Sequence, residues 1–209
     1  GKPSVQNGIV DFLFYVDWAI TTEDGPGFVT LVPRPRGAPL DKLVSEWAIA
    51  TNVRWGEWLR AHDVAGIYRG QPPGEKVRMS IHTEPHEGLG VPCYLWATSP
   101  LRRYVDLANQ RQLLATLGHG EPLPADRLAE LIPAFETRYA QYQEWQRHME
   151  RYWALRWLRQ ERVETTTALV LRENWVRLES APLAVKVPSL PLLASGTRVR
   201  IAIETVDLV

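Results

Sequence analysis

The residues most able to do chemistry lie in one short run, Thr98-Ser99-Pro100-Leu101-Arg102-Arg103. Ser99 can cap free backbone N–H groups, and Pro100 suits a first helical position, where its missing N–H costs nothing. The two arginines that follow are unfavourable there, because a helix N-terminus is already positive. An anion at that end removes the conflict, since free N–H groups and guanidinium forks together bind phosphate. Two solvated arginines on a surface helix fit the same spacing, and both readings stand. A second group, His82, Glu84, His86 and Glu87, has the right types for zinc, but it lies in a loop without an i,i+4 pair on a helix. Carboxylates for a hard cation such as Mg²⁺ must sit close together, whereas Asp11, Asp17, Asp24, Asp41, Asp63, Asp106 and Asp126 are scattered singly. No metal site is therefore expected within the chain. Ser-His-Asp spacing, a Gly-rich phosphate loop and CxxC are also missing from the sequence.

The elements that must position these residues read as an α+β chain. Residues 9–16 are apolar, aromatic and short, which predicts a buried strand, and Phe28 to Val32 is its hairpin partner beyond Asp24-Gly25-Pro26-Gly27. Phe12 and Phe14 alternate inward on that strand. From Leu40 to Leu59 the spacing predicts a helix with a stripe of Leu43, Val44, Trp47, Ala50, Val53 and Trp58. Leu101, Tyr104, Val105 and Ala108 continue the Ser99–Pro100 start as a helix that stops at Gly118. A long helix over 125–162 carries an aromatic core stripe from Phe135 to Trp157, interrupted by Pro133, with a solvated face that includes Arg156. From Val163 the period changes to two: 167–171, 175–178, 183–187 and 197–206 read as short strands of a small barrel or sandwich. The expected domains are 1–162 and 163–209.

Tyr94 followed by TSPLRRYVDLANQR resembles the Y…TSPIRRY.DL…HR signature of the RNase II (RNB-domain) exoribonucleases. Neighbouring segments join it: the strand pair resembles "G-A-L-D-F … EPR", LVSEWAIATN resembles the "MVEE…N" helix, Ile67-Tyr68-Arg69 resembles "L-Y-R-x-H", and HTEPHEGLG resembles the loop before the signature. The resemblance covers residues 5–209 but matches only the later half of the RNB domain plus the terminal barrel. It implies a C-terminal portion: the back half of a catalytic domain followed by an OB-fold RNA-binding barrel. It also implies that Arg102 is the catalytic phosphate ligand, that Thr98, Ser99, Arg103 and Tyr94 shape the site, and that Phe12 packs on the last base. Asp106 and Arg111 match family positions that hold the fold. Glu46 matches the second of the family's acidic pair near the RNA 3′ end, while Ser45 stands in place of the first. On the barrel, Trp175, Arg177 and Lys186 are the candidates for contact with single-stranded RNA. Glycines Gly88 and Gly90 would let the backbone approach RNA or pack beneath the helix.

Composition bounds the partners. The chain is 45% hydrophobic with nine Trp, enough for a substantial core, and its 24 Lys and Arg balance 24 Asp and Glu. Any nucleic-acid affinity must then come from a local basic surface. Cys93 is the single cysteine, which excludes an internal disulfide and suits a core position. There is no apolar run long enough for a membrane span and no secretory signal, so a cytoplasmic location is expected. The expected activity is hydrolytic 3′–5′ degradation of single-stranded RNA to nucleoside 5′-monophosphates. Its Mg²⁺ ligands are expected outside this chain, on the N-terminal portion of the enzyme as a companion polypeptide, and the chain alone is expected to be inactive. Two competitors are a non-catalytic single-stranded RNA-binding module of the same family and a protein-interaction scaffold.

Overall fold

The computed structural model describes residues 10–35 and 38–208. The described chain forms two compact units, 38–141 and 10–35 with 142–208, so the hairpin and the end of the long helix group with the C-terminal strands rather than dividing at 162/163.

The first unit opens with α1, Pro39–Ala61. Pro39 sits at the helix start and Asp41 in the first turn, both favourable at that end. The expected stripe is not what α1 buries. Leu43, Val44 and Trp47 are 53%, 67% and 69% exposed, and the inward face is Asn52, Gly56 and Leu59, flanked by Val53 and Trp55. Gly56 sits there because a Cβ would approach Cys93 Sγ and Tyr68 Cε1 to 3.2 Å. Cys93 is buried in this cluster with Tyr68, Leu95 and Ala97. The short strands β3, Tyr68–Gly70, and β4, Arg78–Ser80, pair antiparallel. Helix α2, Tyr104–Thr116, packs Val105 and Ala108 with Ile67, Trp96 and Leu128. Trp55, Trp58, Leu113, Leu114 and Leu117 line an open apolar groove of about 700 Å³ between α1 and α2.

Helix α3, Ala125–Gln160, runs through Pro133 and contributes to both units. Its aromatic stripe is core only at the ends. Phe135 and Tyr139 stack in the first unit, and Trp157 packs in the second, while Tyr142 and Trp145 are exposed.

The second unit pairs β1, Val10–Thr22, with β2, Gly25–Pro35, in an antiparallel hairpin longer than its apolar core predicts. Gly25 and Gly27, at φ +99° and +104°, supply the left-handed turn conformations that L side chains resist. Arg156 is buried, not solvated: its Nη2 donates to Thr22 Oγ1 at 3.0 Å and to the Gly25 carbonyl at 2.5 Å, tying α3 to the hairpin turn. Strands β5, Thr165–Arg172, β6, Trp175–Leu178, β7, Ala184–Lys186, and β8, Arg198–Ala202, form an antiparallel sheet in the order β7-β6-β5-β8. Alternation puts Ala168, Val170, Val176 and Leu178 in the core with Ala154 and Leu158 of α3, and Phe14 packs against that cluster. Among the described residues no helix is long and apolar enough to cross a membrane.

Asn109 of α2 is fully buried and bonds three backbone groups: it accepts from Ile67 N at 2.7 Å and donates to the Ile67 and Trp96 carbonyls at 2.8 Å each. Asn109→Leu leaves those groups unpaired and is expected to cost about 2–4 kcal/mol, read as a lower urea midpoint. A wild-type midpoint would mean the segments at Ile67 and Trp96 are held without it.

Candidate nucleic-acid interface

Residues 94–103 are neither regular helix nor strand, yet much of the run is buried, so its backbone polar groups need side-chain partners. Asn52 supplies several. Its Oδ1 accepts from Ala97 N at 3.1 Å, and its Nδ2 donates to Thr98 Oγ1 at 3.2 Å and Tyr94 Oη at 3.4 Å. Gln110 Nε2 donates to the Ala97 carbonyl at 2.8 Å. From α2, Asp106 reaches back: its Oδ1 accepts from Ser99 N at 2.8 Å and from Arg103 Nη2 at 2.5 Å. Asp106 is fully buried, and its Oδ2 carries no hydrogen bond.

This changes the expected start of the helix. Ser99 is not its cap, and Pro100 is not its first residue; α2 begins at Tyr104, with extended Arg103 (φ −132°, ψ 112°) as N-cap. Ser99 to Arg102 form a separate turn, closed by Arg102 N and Arg103 N donating to the Ser99 carbonyl at 3.3 and 3.1 Å. The physical reason is Asp106, which takes Ser99's N–H from inside the first helical turn and holds the preceding residues out of helical conformation.

The two arginines consequently part. Arg102 is exposed on the turn, its Nη2 only 3.4 Å from Ser99 Oγ, beside a fully exposed Leu101. Arg103 is 7% exposed, ion-paired with Asp106, with its guanidinium 4.0 Å from the Trp96 ring centroid. Thr98, Ser99 and Tyr94 are half-buried around the same turn. Arg111, expected to hold the fold, is exposed on α2, whereas Asp106 does hold it. Glu46 is exposed on α1.

His86, 8% exposed, meets Tyr94 edge-to-face at 5.7 Å, and its Nδ1 is buried without a partner. Burial, and then the Arg69 charge, hold its pKa below the ordinary histidine value. The rest of the loop does not converge on His86: His82 is exposed and Glu84 pairs with Arg78 at 3.0 Å. Gly90 adopts φ +65°, Gly88 N donates to Gln71 Oε1 at 3.1 Å, and both glycines are exposed. No three His, Cys, Asp or Glu side chains among the described residues are grouped to hold a metal ion, and a hard cation such as Mg²⁺ needs several carboxylate oxygens close together.

In the second unit, Trp175 and Arg177 project from the exposed face of β6, and Lys186 of β7 lies directly opposite Trp175. Phe12 is half-buried and shares with Arg177 the lining of a cavity of about 500 Å³. The structure therefore groups the candidates in two sets, Tyr94, Thr98, Ser99, Arg102 and Arg103 in one unit, and Phe12, Trp175, Arg177 and Lys186 in the other. By sequence, Asn52 and Arg69 stand only as members of the segments that resemble "MVEE…N" and "L-Y-R-x-H", with no role assigned to either, and Trp96 has none.

Residues 75–119 match the RNB domain. An uncharacterized ribonuclease, sll1290, of Synechocystis sp. is 29% identical over 163 residues, covering 65% of this chain and 24% of that protein. RNase R of Mycoplasma genitalium, solved in complex with ribose-methylated single-stranded RNA, matches with TM-score 0.69 and 12% identity over 95% of this chain and 44% of its own. The Dss1 exoribonuclease of Candida glabrata matches with TM-score 0.67 and 19% identity over 96% of this chain and 31% of its own. The chain thus spans about a quarter of that first relative and under half of these solved structures. The resemblance to RNB-family exoribonucleases stands in the signature segment and in the fold.

Two outcomes follow from the geometry. Asp106→Ala strands the buried Arg103 charge and frees Ser99 N–H, for an expected loss of about 3–5 kcal/mol in denaturant unfolding; a loss below 1 kcal/mol would show that the turn is held by other contacts. For His86 the folded pKa lies below the unfolded one, so the folded state takes up fewer protons. Its contribution is complete above the unfolded value of about 6.5 and is lost as pH falls through the folded pKa. His86→Gln is therefore expected to flatten the fall in stability below about pH 6.5 by at most ~1.4 kcal/mol per pH unit. Parallel curves for the two proteins would contradict a neutral buried His86.

Proposed function

We propose that this chain is the RNA-handling portion of an RNB-type exoribonuclease that degrades single-stranded RNA from its 3′ end to nucleoside 5′-monophosphates. The observation that carries this reading is Arg102, exposed on a turn that Asp106 holds through Ser99 N and that follows Ala97, whose backbone Asn52 and Gln110 hold. A guanidinium on a rigid turn loses little entropy on binding phosphate, and its fork matches two phosphate oxygens. Thr98 and Tyr94 share the Asn52 amide and keep the approach to that turn in place. In this reading the chemistry that Mg²⁺ would supply, charge neutralisation on phosphate and activation of water, would rest on aspartate ligands of an N-terminal portion of the enzyme, acting as a companion polypeptide. This chain contributes binding and orientation.

Its RNA path would include the β6–β7 face, where Trp175 offers a ring and Arg177 and Lys186 offer charge, as OB-type surfaces do. That shared face also favours the second reading, a non-catalytic single-stranded RNA-binding module of the same family. Nucleotide release from a labelled oligoadenylate only when the Asp-bearing portion and Mg²⁺ are both supplied supports the first reading; binding without release under those conditions supports the second.

In fluorescence-anisotropy titrations of a labelled oligoadenylate, Arg102→Ala is expected to weaken binding about 10-fold or more, the scale of a lost charge-assisted contact. Arg111→Lys, on an exposed helix position, should change it less than about twofold. Equal losses in the two variants would sink the phosphate role of Arg102.

A further inference from the structure

The buried side of the signature turn holds more positive charge than its carboxylates neutralise. Arg69, on β3, and Arg103 both place their guanidinium carbons 4.0 Å from the centroid of one indole, Trp96. Asp106 is committed to Arg103 and to Ser99 N–H through Oδ1. The Arg69 side chain makes no hydrogen bond or ion pair with any described residue, and its Nε is buried and unbonded. Burial pulls its pKa below the ordinary arginine value; Arg103 pushes the same way, while Tyr139, Tyr94 and Glu136 oppose the shift. Arg103 Nε and the nine-tenths-buried His86 Nδ1 are likewise without partners. One indole thus carries two cations: Asp106 pairs with Arg103, Glu136 acts on Arg69 without an ion pair, and three unbonded nitrogens belong to the same cluster.

Packing alone does not account for this arrangement. A cation–π contact is weaker than the hydration a buried cation gives up, and two guanidinium groups on one ring repel each other. An anion accepting from Arg69 would remove the excess charge, and the planar guanidinium is suited to phosphate oxygens.

We propose that Arg69 is a second phosphate ligand beside the signature turn, held by Trp96, and that it takes a backbone phosphate of a single-stranded polynucleotide other than the one held by Arg102. The proposal rests on the RNA-handling reading of that turn. Trp96 is a positioning residue: its ring fixes the guanidinium plane.

The test uses the full chain and three proteins, wild type, Arg69→Met and Arg69→Lys. Two probes are used, a labelled oligoadenylate titrated over a range of KCl concentrations and inorganic phosphate in thermal unfolding. Arg69→Met keeps an apolar stem on Trp96 and is expected to leave the unfolding midpoint unchanged or raised. It should weaken oligonucleotide binding about fivefold or more and reduce the slope of log K against log salt by about 0.7, the loss of one phosphate contact on a single strand. Arg69→Lys should restore the slope but only part of the affinity. Phosphate should raise the midpoint of wild type more than that of Arg69→Met.

Wild-type affinity and slope in Arg69→Met, with Arg102→Ala still defective, would overturn this inference alone and leave the reading of the turn intact. A lowered midpoint with the wild-type slope, measured where the variant is folded, would make Arg69 a packing residue and also overturn it. Arg69-dependent stabilisation by phosphate without oligonucleotide binding to wild type would overturn the polynucleotide assignment together with the RNA-handling reading, and would leave a site for free phosphate.

Discussion

The structure around the candidate site depends on buried side-chain amides and one carboxylate standing in for regular secondary structure. A helix or a sheet satisfies its own backbone groups; the stretch from Tyr94 to Arg103 does not, and it runs through the core. Asn52, Asp106, Asn109 and Gln110 accept its N–H groups or donate to its carbonyls, from two helices far apart in sequence. Each of those bonds would be worth little in water, but leaving the buried backbone group unpaired is costly, so the set fixes one conformation. That is how Arg102 comes to be presented on a turn instead of being wound into a helix.

The same carboxylate separates two adjacent arginines. Sequence treats Arg102 and Arg103 as a pair at one helix end, and the helix dipole penalises both. In the folded chain Asp106 compensates Arg103, which lies on Trp96, while Arg102 remains exposed. The buried arginine helps to build the turn that displays the exposed one. The RRY run thus combines a structural cation and a presented one, a division that residue type alone does not reveal.

Much of the architecture was legible because local signals and tertiary packing agree. Gly25 and Gly27 punctuate the hairpin, period two marks β5 and β6, and the long 3.6-period segment becomes α3 ending at Gln160. Where they disagree, tertiary contacts prevailed. Ser99-Pro100 is a good local helix start, overridden by a bond from a residue seven positions on. The α1 stripe has helical spacing, yet its first half is exposed, and the buried face turns on a polar Asn52 and a Gly56 that apolar periodicity does not count. Arg156 looked like one of many solvated helix charges; its burial depends on the hairpin turn that α3 meets, information carried more than 130 positions away.

A net charge of zero looks adverse to nucleic-acid binding, but the distribution of partners resolves the difficulty. Several arginines are matched locally: Arg78 with Glu75 and Glu84, Arg127 with Glu130, Arg159 with Asp24, and Arg198 with Glu179. Such pairs are neutral at distances beyond about a Debye length, ~8 Å at physiological salt, so they add little to the field a polyanion meets. Arg102 on the turn, Arg69 on the Trp96 ring and the Arg177–Lys186 face carry no carboxylate ion pair among the described residues. In the proposed reading a polyanion responds to those local positive potentials rather than to the total, with Arg102 on the turn and Arg69 on β3 as its two phosphate contacts.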